Sequence, residues 1–230
     1  MCGRYALAQE HEAMRIRFGF IDDLTSPFRH NARYNIAPSQ TTPVIIQGEQ
    51  RELCPMRWGL IPPWSKDASI GNKLINARSE TVSEKPSFRD SFRERRCLVP
   101  ATGFFEWKKQ ADKRTKQPIL IKVTDHDIFA FAGLWSIWKA PATGKKLLTY
   151  TILTTEPNDF MKPFHHRMPV ILMPETEDKW LDISSKAGVL KELLSPYPSA
   201  LMDAYPVSAI VNSPQNDIPE CVVPLGDSTL

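Results

Sequence analysis

Phe129-Ala130-Phe131-Ala132-Gly133-Leu134-Trp135 is apolar at every position. A run that is apolar on both faces suits a strand covered on both sides, at the centre of a sheet or in the wall of a barrel. Working outward, its neighbours read as a meander. Pro118 to Thr124 alternates, with Ile119, Ile121 and Val123 on one face. Asp125-His126-Asp127 turns the chain into a strand over Ile128 to Trp138, and a loop over Pro141 to Lys146 precedes another over Leu147 to Thr155. Upstream, Cys97 to Lys108 reads as one strand. The five cations between Lys108 and Lys116 read as a solvated hairpin tip.

Farther out the pattern is mixed. Ala8 to Phe20 and Ser83 to Arg96 are expected to be helices, the second with Phe88 and Phe92 four apart on one face. Residues 21–41 read as loop. Thr42 to Gln47 and Leu53 to Leu60 form a hairpin about Gly48, and Ile61-Pro62-Pro63-Trp64 must leave the sheet because consecutive prolines donate no ladder bonds. Val170 to Met173 is a short buried strand, Pro174 opens an acidic-fronted helix, and Val189 to Leu194 is a further helix. The proline-rich tail is expected along the surface. With no repeat, linker or low-complexity tract, residues 1–230 read as one mixed domain.

The 230-residue chain is 42% apolar and 24% charged, an ordinary globular composition. No apolar run approaches the roughly 20 residues that span a bilayer, and no export signal is visible. A cytoplasmic, reducing location with Cys2, Cys54, Cys97 and Cys221 as thiols is the expectation. Their wide spacing lacks a CxxC pair, so neither a metal site nor another cofactor is expected. The net charge of +3 permits a nucleic-acid partner without requiring one.

Chemistry concentrates in a few short stretches. In Met1-Cys2-Gly3-Arg4, removal of Met1 leaves an α-amine and a thiol on one residue, each partly deprotonated near neutral pH at ordinary pKa values of about 7.7–8.0 and about 8.5. The amine can serve as base for its own side chain, a pairing suited to covalent catalysis. Cys is equally a tolerated residue at a frayed terminus. Glu106 lies among Phe104, Phe105 and Trp107, where desolvation makes a general acid, unless strand alternation points it outward. Asn76 in Asn76-Ala77-Arg78-Ser79-Glu80 is either a helix cap or a site residue. His165-His166-Arg167-Met168-Pro169 offers a catalytic His beside an anion-binding Arg, or a solvated loop. Arg4, Arg33, Arg78 and Arg167 sit among aromatics and prolines, the mix expected of a single-strand groove.

Six ordered motifs then carry a resemblance: Met1-Cys2-Gly3-Arg4-Tyr5, Tyr34-Asn35-Ile36-Ala37-Pro38, Trp58-Gly59-Leu60-Ile61-Pro62-Pro63-Trp64, Asn76 to Glu80, Gly103-Phe104-Phe105-Glu106-Trp107 and His165 to Pro169. Together they resemble the SRAP family (SOS-response-associated peptidase) from residue 1 to about 175, with a looser match from Pro206 to Asn212. The resemblance implies an α+β fold, a bifurcated mixed or antiparallel sheet with a small barrel-like core and surrounding helices. It implies a monomeric DNA-damage protein, nucleoid-associated when bound, that links itself to abasic sites in single-stranded DNA through a reversible thiazolidine on Cys2. Self-removal of residues ahead of Cys2 and lyase-type chemistry are implied with it. Cys2 would be the nucleophile, Asn76 would hold the sugar and the N-terminus, and Glu106 and His165 would move protons. Arg4, Arg78 and Arg167 would contact phosphates, with Trp64 against the strand or its junction. One departure stands out: His166 occupies a position where the family commonly has Asp. Two rivals are an N-terminal-Cys glutamine amidotransferase, which also begins Met-Cys-Gly but usually continues with an apolar residue where this chain has Arg4, and a non-covalent single-strand binder.

Overall fold

The computed structural model describes residues 2–22, 28–110 and 115–226. The chain runs through β1 (Tyr5–Leu7), α1 (His11–Phe18), β2 (Arg33–Ile36), β3 (Thr41–Gln47), β4 (Arg51–Trp58) and β5 (Asn76–Arg78). There follow α2 (Arg89–Glu94), β6 (Arg96–Ala101), β7 (Gly103–Lys109), β8 (Lys116–Val123), β9 (Phe129–Lys139) and β10 (Lys146–Thr155). The rest comprises β11 (Met168–Pro169), β12 (Ile171–Leu172), α3 (Glu177–Leu181), α4 (Ala187–Glu192) and β13 (Met202–Pro206), with short 3-10 turns between elements.

The strands form an α+β arrangement of two sheets. In one, β10, β4, β3, β6 and β9 follow in order and β9 pairs back to β10, which closes a five-stranded barrel with β5, β11 and β12 attached. The other is a five-stranded antiparallel sheet in the order β13-β8-β7-β1-β2. The opening heptapeptide is β9, paired on one side with β6 and on the other with β10. Its Gly133 has a packing reason: a Cβ there would lie 2.8 Å from Cys97 Sγ and from Val99 Cγ2. Tyr5, Phe104, Phe129, Phe131, Trp58 and Tyr150 fill the interior with edge-on and stacked ring contacts.

The structure corrects the sequence reading in four places. Cys97 to Lys108 is two strands in different sheets, because at Thr102 the backbone leaves β9 and its N–H bonds Ala6 O at 2.8 Å instead. The helix expected over Ser83 to Arg96 narrows to α2, since Pro86 lacks an N–H and disfavours a helical residue before it. Phe88 and Phe92 are buried nonetheless. The 21–41 loop contains β2. The tail is no surface strap: β13 pairs with β8, and Val207, Val211 and Cys221 are buried. Part of the cationic tip, residues 111–114, lies outside the described residues. No disulfide joins Cys2, Cys54, Cys97 or Cys221, and no described helix is long and apolar enough to cross a membrane.

Candidate active site

The position of β1, between β7 and the edge strand β2, brings the first residues of the chain to the site. Tyr5 pairs with Phe104, and Phe105 N donates to Arg4 O at 3.0 Å. Continuing that antiparallel register sets Gly3 opposite Glu106, beside Cys2. Cys2 is completely buried, and its carbonyl accepts a 2.8 Å hydrogen bond from Asn76 Nδ2. Asn76 is no helix cap: it opens β5, held parallel to β10 opposite Ile152. Its Oδ1 is buried and accepts nothing from the described residues.

Glu106 is only 6% exposed, so the outward-pointing alternative does not hold. Burial raises its carboxyl from 4.5 to about 7, which leaves it poised to give or take a proton at neutral pH. Burial also pushes the Cys2 thiol far up, and the Glu106 carboxylate adds to that rise. The sulfur is therefore a thiol at rest, not a thiolate.

His165 precedes β11 in the connection from β10. Phe164 lies under Lys108 Nζ at 5.8 Å, which seats this segment against the C-terminal end of β7, two residues beyond Glu106. His165 Nδ1 accepts the Arg167 N–H at 3.0 Å, and burial lowers the imidazole's pKa. His166 stacks on the His165 ring at 4.2 Å between centroids. A carboxylate at that position would offer an acceptor; His166 offers a flat face. Arg167 is buried, donating to Glu80 through both Nη atoms and to Thr154 O at 2.5 Å. That ion pair joins the Asn76–Glu80 and His165–Pro169 motifs.

The expected DNA-contacting residues divide into two kinds. Arg78 and Trp64 are exposed, Trp64 by 59%, at the end of the Pro62-Pro63 excursion. Gly59 makes that excursion possible with a φ of 117°, and a Cβ there would lie 2.5 Å from Gly71 O. Arg4 and Arg167 instead hold internal partners. Arg4 Nη1 donates to Asn35 Oδ1 at 2.7 Å and Val211 O at 2.9 Å, with its guanidinium over the Trp107 ring. Arg33 likewise holds internal partners, joining Asp217 and donating to Gln40 Oε1 at 2.8 Å.

Sequence reasoning missed two organising residues. Glu80 was visible as the last member of a motif but had no evident partner. Buried Asn35 donates to Val211 O, Ser213 O and Asn216 O while accepting from Arg4, and Asp217 caps the backbone N–H groups of Tyr34 and Asn35. Only its place within a Tyr-Asn-Ile-Ala-Pro stretch marked it. Among the described residues, no three His, Cys, Asp or Glu side chains gather as a metal site.

The family model for SOS response associated peptidase (SRAP) matches residues 1–214. The chain belongs to the SRAP family. Relatives within it include the abasic site processing protein YoqW of Bacillus subtilis (strain 168), 47% identical over 224 residues that cover 96% of this chain and 99% of that one. The abasic site processing protein HMCES of Gallus gallus is 31% identical over 265 residues, covering 98% of this chain and 78% of the relative. A crystal structure of a protein from Bacteroides thetaiotaomicron superposes with a TM-score of 0.87 at 31% identity, covering 97% of this chain and all of the other.

Proposed function

We propose that this chain processes abasic sites in single-stranded DNA by forming a reversible covalent crosslink through Cys2. The observation that carries the reading is an N-terminal Cys held by Asn76 beside a buried Glu106 carboxyl, in a chain whose relatives are named abasic site processing proteins. Removal of Met1 converts the Cys2 nitrogen from an amide to an amine. His165 and Glu106 move the C1′ hydroxyl proton of the abasic sugar to its ring oxygen, opening the sugar to an aldehyde. The amine adds to the aldehyde carbon, and protonated Glu106 gives its proton to the resulting hydroxyl, which leaves as water. The thiol then attacks the iminium carbon and passes its proton to the Glu106 carboxylate, closing the five-membered ring. Amine, thiol and aldehyde become thiazolidine and water, with no change of oxidation state. A thiol of raised pKa suits this order, because sulfur is required only after the iminium exists.

The same Cys2 and Glu106 serve removal of residues ahead of Cys2, and an imine that fails to close drains by elimination, a lyase-type outcome. Exposed Arg78 contacts a phosphate and Trp64 lies against the strand, while Arg4 and Arg167 contribute mainly fixed positive charge from their internal positions. The protein acts as a monomer in the cytoplasm, on the nucleoid when bound.

The test is a denaturing gel of protein with abasic single-stranded DNA, with and without borohydride. Cys2→Ser and Cys2→Ala keep the amine, so each forms a borohydride-trapped imine but no durable adduct. An unremovable residue placed before Cys2 abolishes both species. A durable adduct in Cys2→Ala, or an undiminished one from the blocked N-terminus, removes the N-terminal mechanism.

A further inference from the structure

We infer that Glu80 is a positioning residue which, through Arg167, fixes the orientation and tautomer of His165. The chain of contacts is short. The Arg167 side chain is 11% exposed, whereas that of Glu80 is 50% exposed, so the carboxylate approaches the buried guanidinium from the solvent side. Glu80 Oε2 accepts from Arg167 Nη2 at 3.0 Å, and its Oε1 accepts from Nη1. Hydrogen bonds from Arg167 hold the Glu80 carboxyl below the usual range, so it stays ionised at neutral pH. Arg167 Nη2 also reaches Thr154 O at 2.5 Å on β10, the strand to which β5 and β11 are both paired. The guanidinium is thereby pinned between the Asn76 strand's continuation and the barrel wall.

That anchor decides where the Arg167 peptide points. Its N–H meets His165 Nδ1 at 3.0 Å, and a ring nitrogen that accepts carries no proton. The neutral imidazole is therefore the Nε2–H tautomer. Arg167 O lies 3.2 Å from the same Nδ1, so a doubly protonated ring donates to it without turning. The backbone of one residue, through its N–H and its C=O, thus serves both protonation states of His165. Arg167 Nε is buried and has no partner among the described residues, which makes the guanidinium depend on Glu80 and Thr154. Removing Glu80 leaves a buried cation without its counter-charge, and such a group moves toward water. Because Met168 follows directly into β11, that movement rotates the 165–167 segment and withdraws the N–H from Nδ1.

The experiment uses the full chain labelled with ¹⁵N-histidine and long-range ¹H–¹⁵N spectra of the imidazoles, with His165 assigned from a His165→Gln sample. Wild type shows His165 as Nε2–H alone. Glu80→Ala shows both tautomers averaged, and Glu80→Gln lies between, since its amide oxygen still accepts one Arg167 N–H. The rate arm rests on the proposed DNA chemistry: at saturating protein, Glu80→Ala slows single-turnover adduct formation about tenfold, while half-saturation by intact single-stranded DNA shifts less than about twofold. An Nδ1–H signal in wild type, or an unchanged Nε2–H signal in Glu80→Ala and Glu80→Gln, overturns the inference. If wild type forms no adduct, the DNA reading fails while the spectra still decide the role of Glu80.

Discussion

Two polar clusters lie three residues apart along the start of the chain, at Cys2 and at Tyr5, and only one is prepared for chemistry. Inside the barrel, Tyr5 OH sits 2.8 Å from Tyr150 OH, and Thr42 Oγ1 is within 3.1 Å of the first and 2.8 Å of the second. Each hydroxyl answers another, and burial drives both phenols up, Tyr5 to about 12, so neither ionises near neutral pH. Three residues before Tyr5, burial instead shifts acid and base toward each other. Glu106 rises to about 7, His165 falls, and Asn76 Oδ1 accepts nothing from the described residues. Burial with mutual satisfaction gives a structural group, and burial with an acceptor held open gives a reactive one.

Glu106→Gln is the most severe way to break that contrast. It removes the carboxyl beside Cys2, so release of the crosslink and removal of residues ahead of Cys2 both slow by about 10²-fold or more. Intact-protein mass spectra and a strand-exchange gel read the two rates; unchanged rates return Glu106 to a packing role. The same variant has a stability signature. Because the folded-state carboxyl is raised from 4.5 to about 7, its contribution is fully present below pH 4.5 and is lost as pH rises through 7. Wild type therefore loses stability relative to Glu106→Gln between pH 5 and 8, by on the order of 2 kcal/mol. Parallel melting curves at the two pH values check the sign.

Tyr150→Phe tests the barrel side. It leaves Tyr5 and Thr42 bonded to each other but deletes the shared hydroxyl, costing about 1 kcal/mol in urea unfolding. Adduct formation stays at the wild-type rate; a slowed reaction would place the barrel hydroxyls within the chemistry and erase the distinction. The smallest effect is expected at Arg78, outside both clusters. Arg78→Ala lowers the slope of log affinity against log salt for single-stranded DNA by about 0.7, one phosphate contact. Titrations between low and moderate salt measure it, and an unaltered slope rules out that contact.

Legibility followed the range of the interactions involved. The apolar run from Phe129 to Trp135 announces a doubly covered strand because both its faces are local facts. Glu106 among aromatics announces a raised carboxyl for the same reason. Pro86 also carries a local signal, and weighing it would have shortened the helix before Arg89. By contrast, the switch of sheet at Thr102 depends on a bond to Ala6, and Glu80 acquires its role only from Arg167, 87 residues away. The exposure difference between Arg78 and Arg167 is equally invisible in sequence, since both stand in short motifs beside polar neighbours. Asp217 looks like any acidic residue of a proline-rich tail until β2 is found beside it.

The clamp around Asn35 bears on the order in which the molecule is completed. Arg4 accepts its place from Val211 O, 207 residues downstream, and Asn35 from Asn216 O, 181 residues downstream. On a ribosome, chains are released from their N-terminus onward at roughly 5–20 residues per second. The Arg4 side chain thus waits at least about ten seconds for its partner at Val211 to be made. Arg4, two residues from Cys2, gains its internal partners only after residue 211 has been made, so the site's entrance is set by a segment synthesised long after the nucleophile.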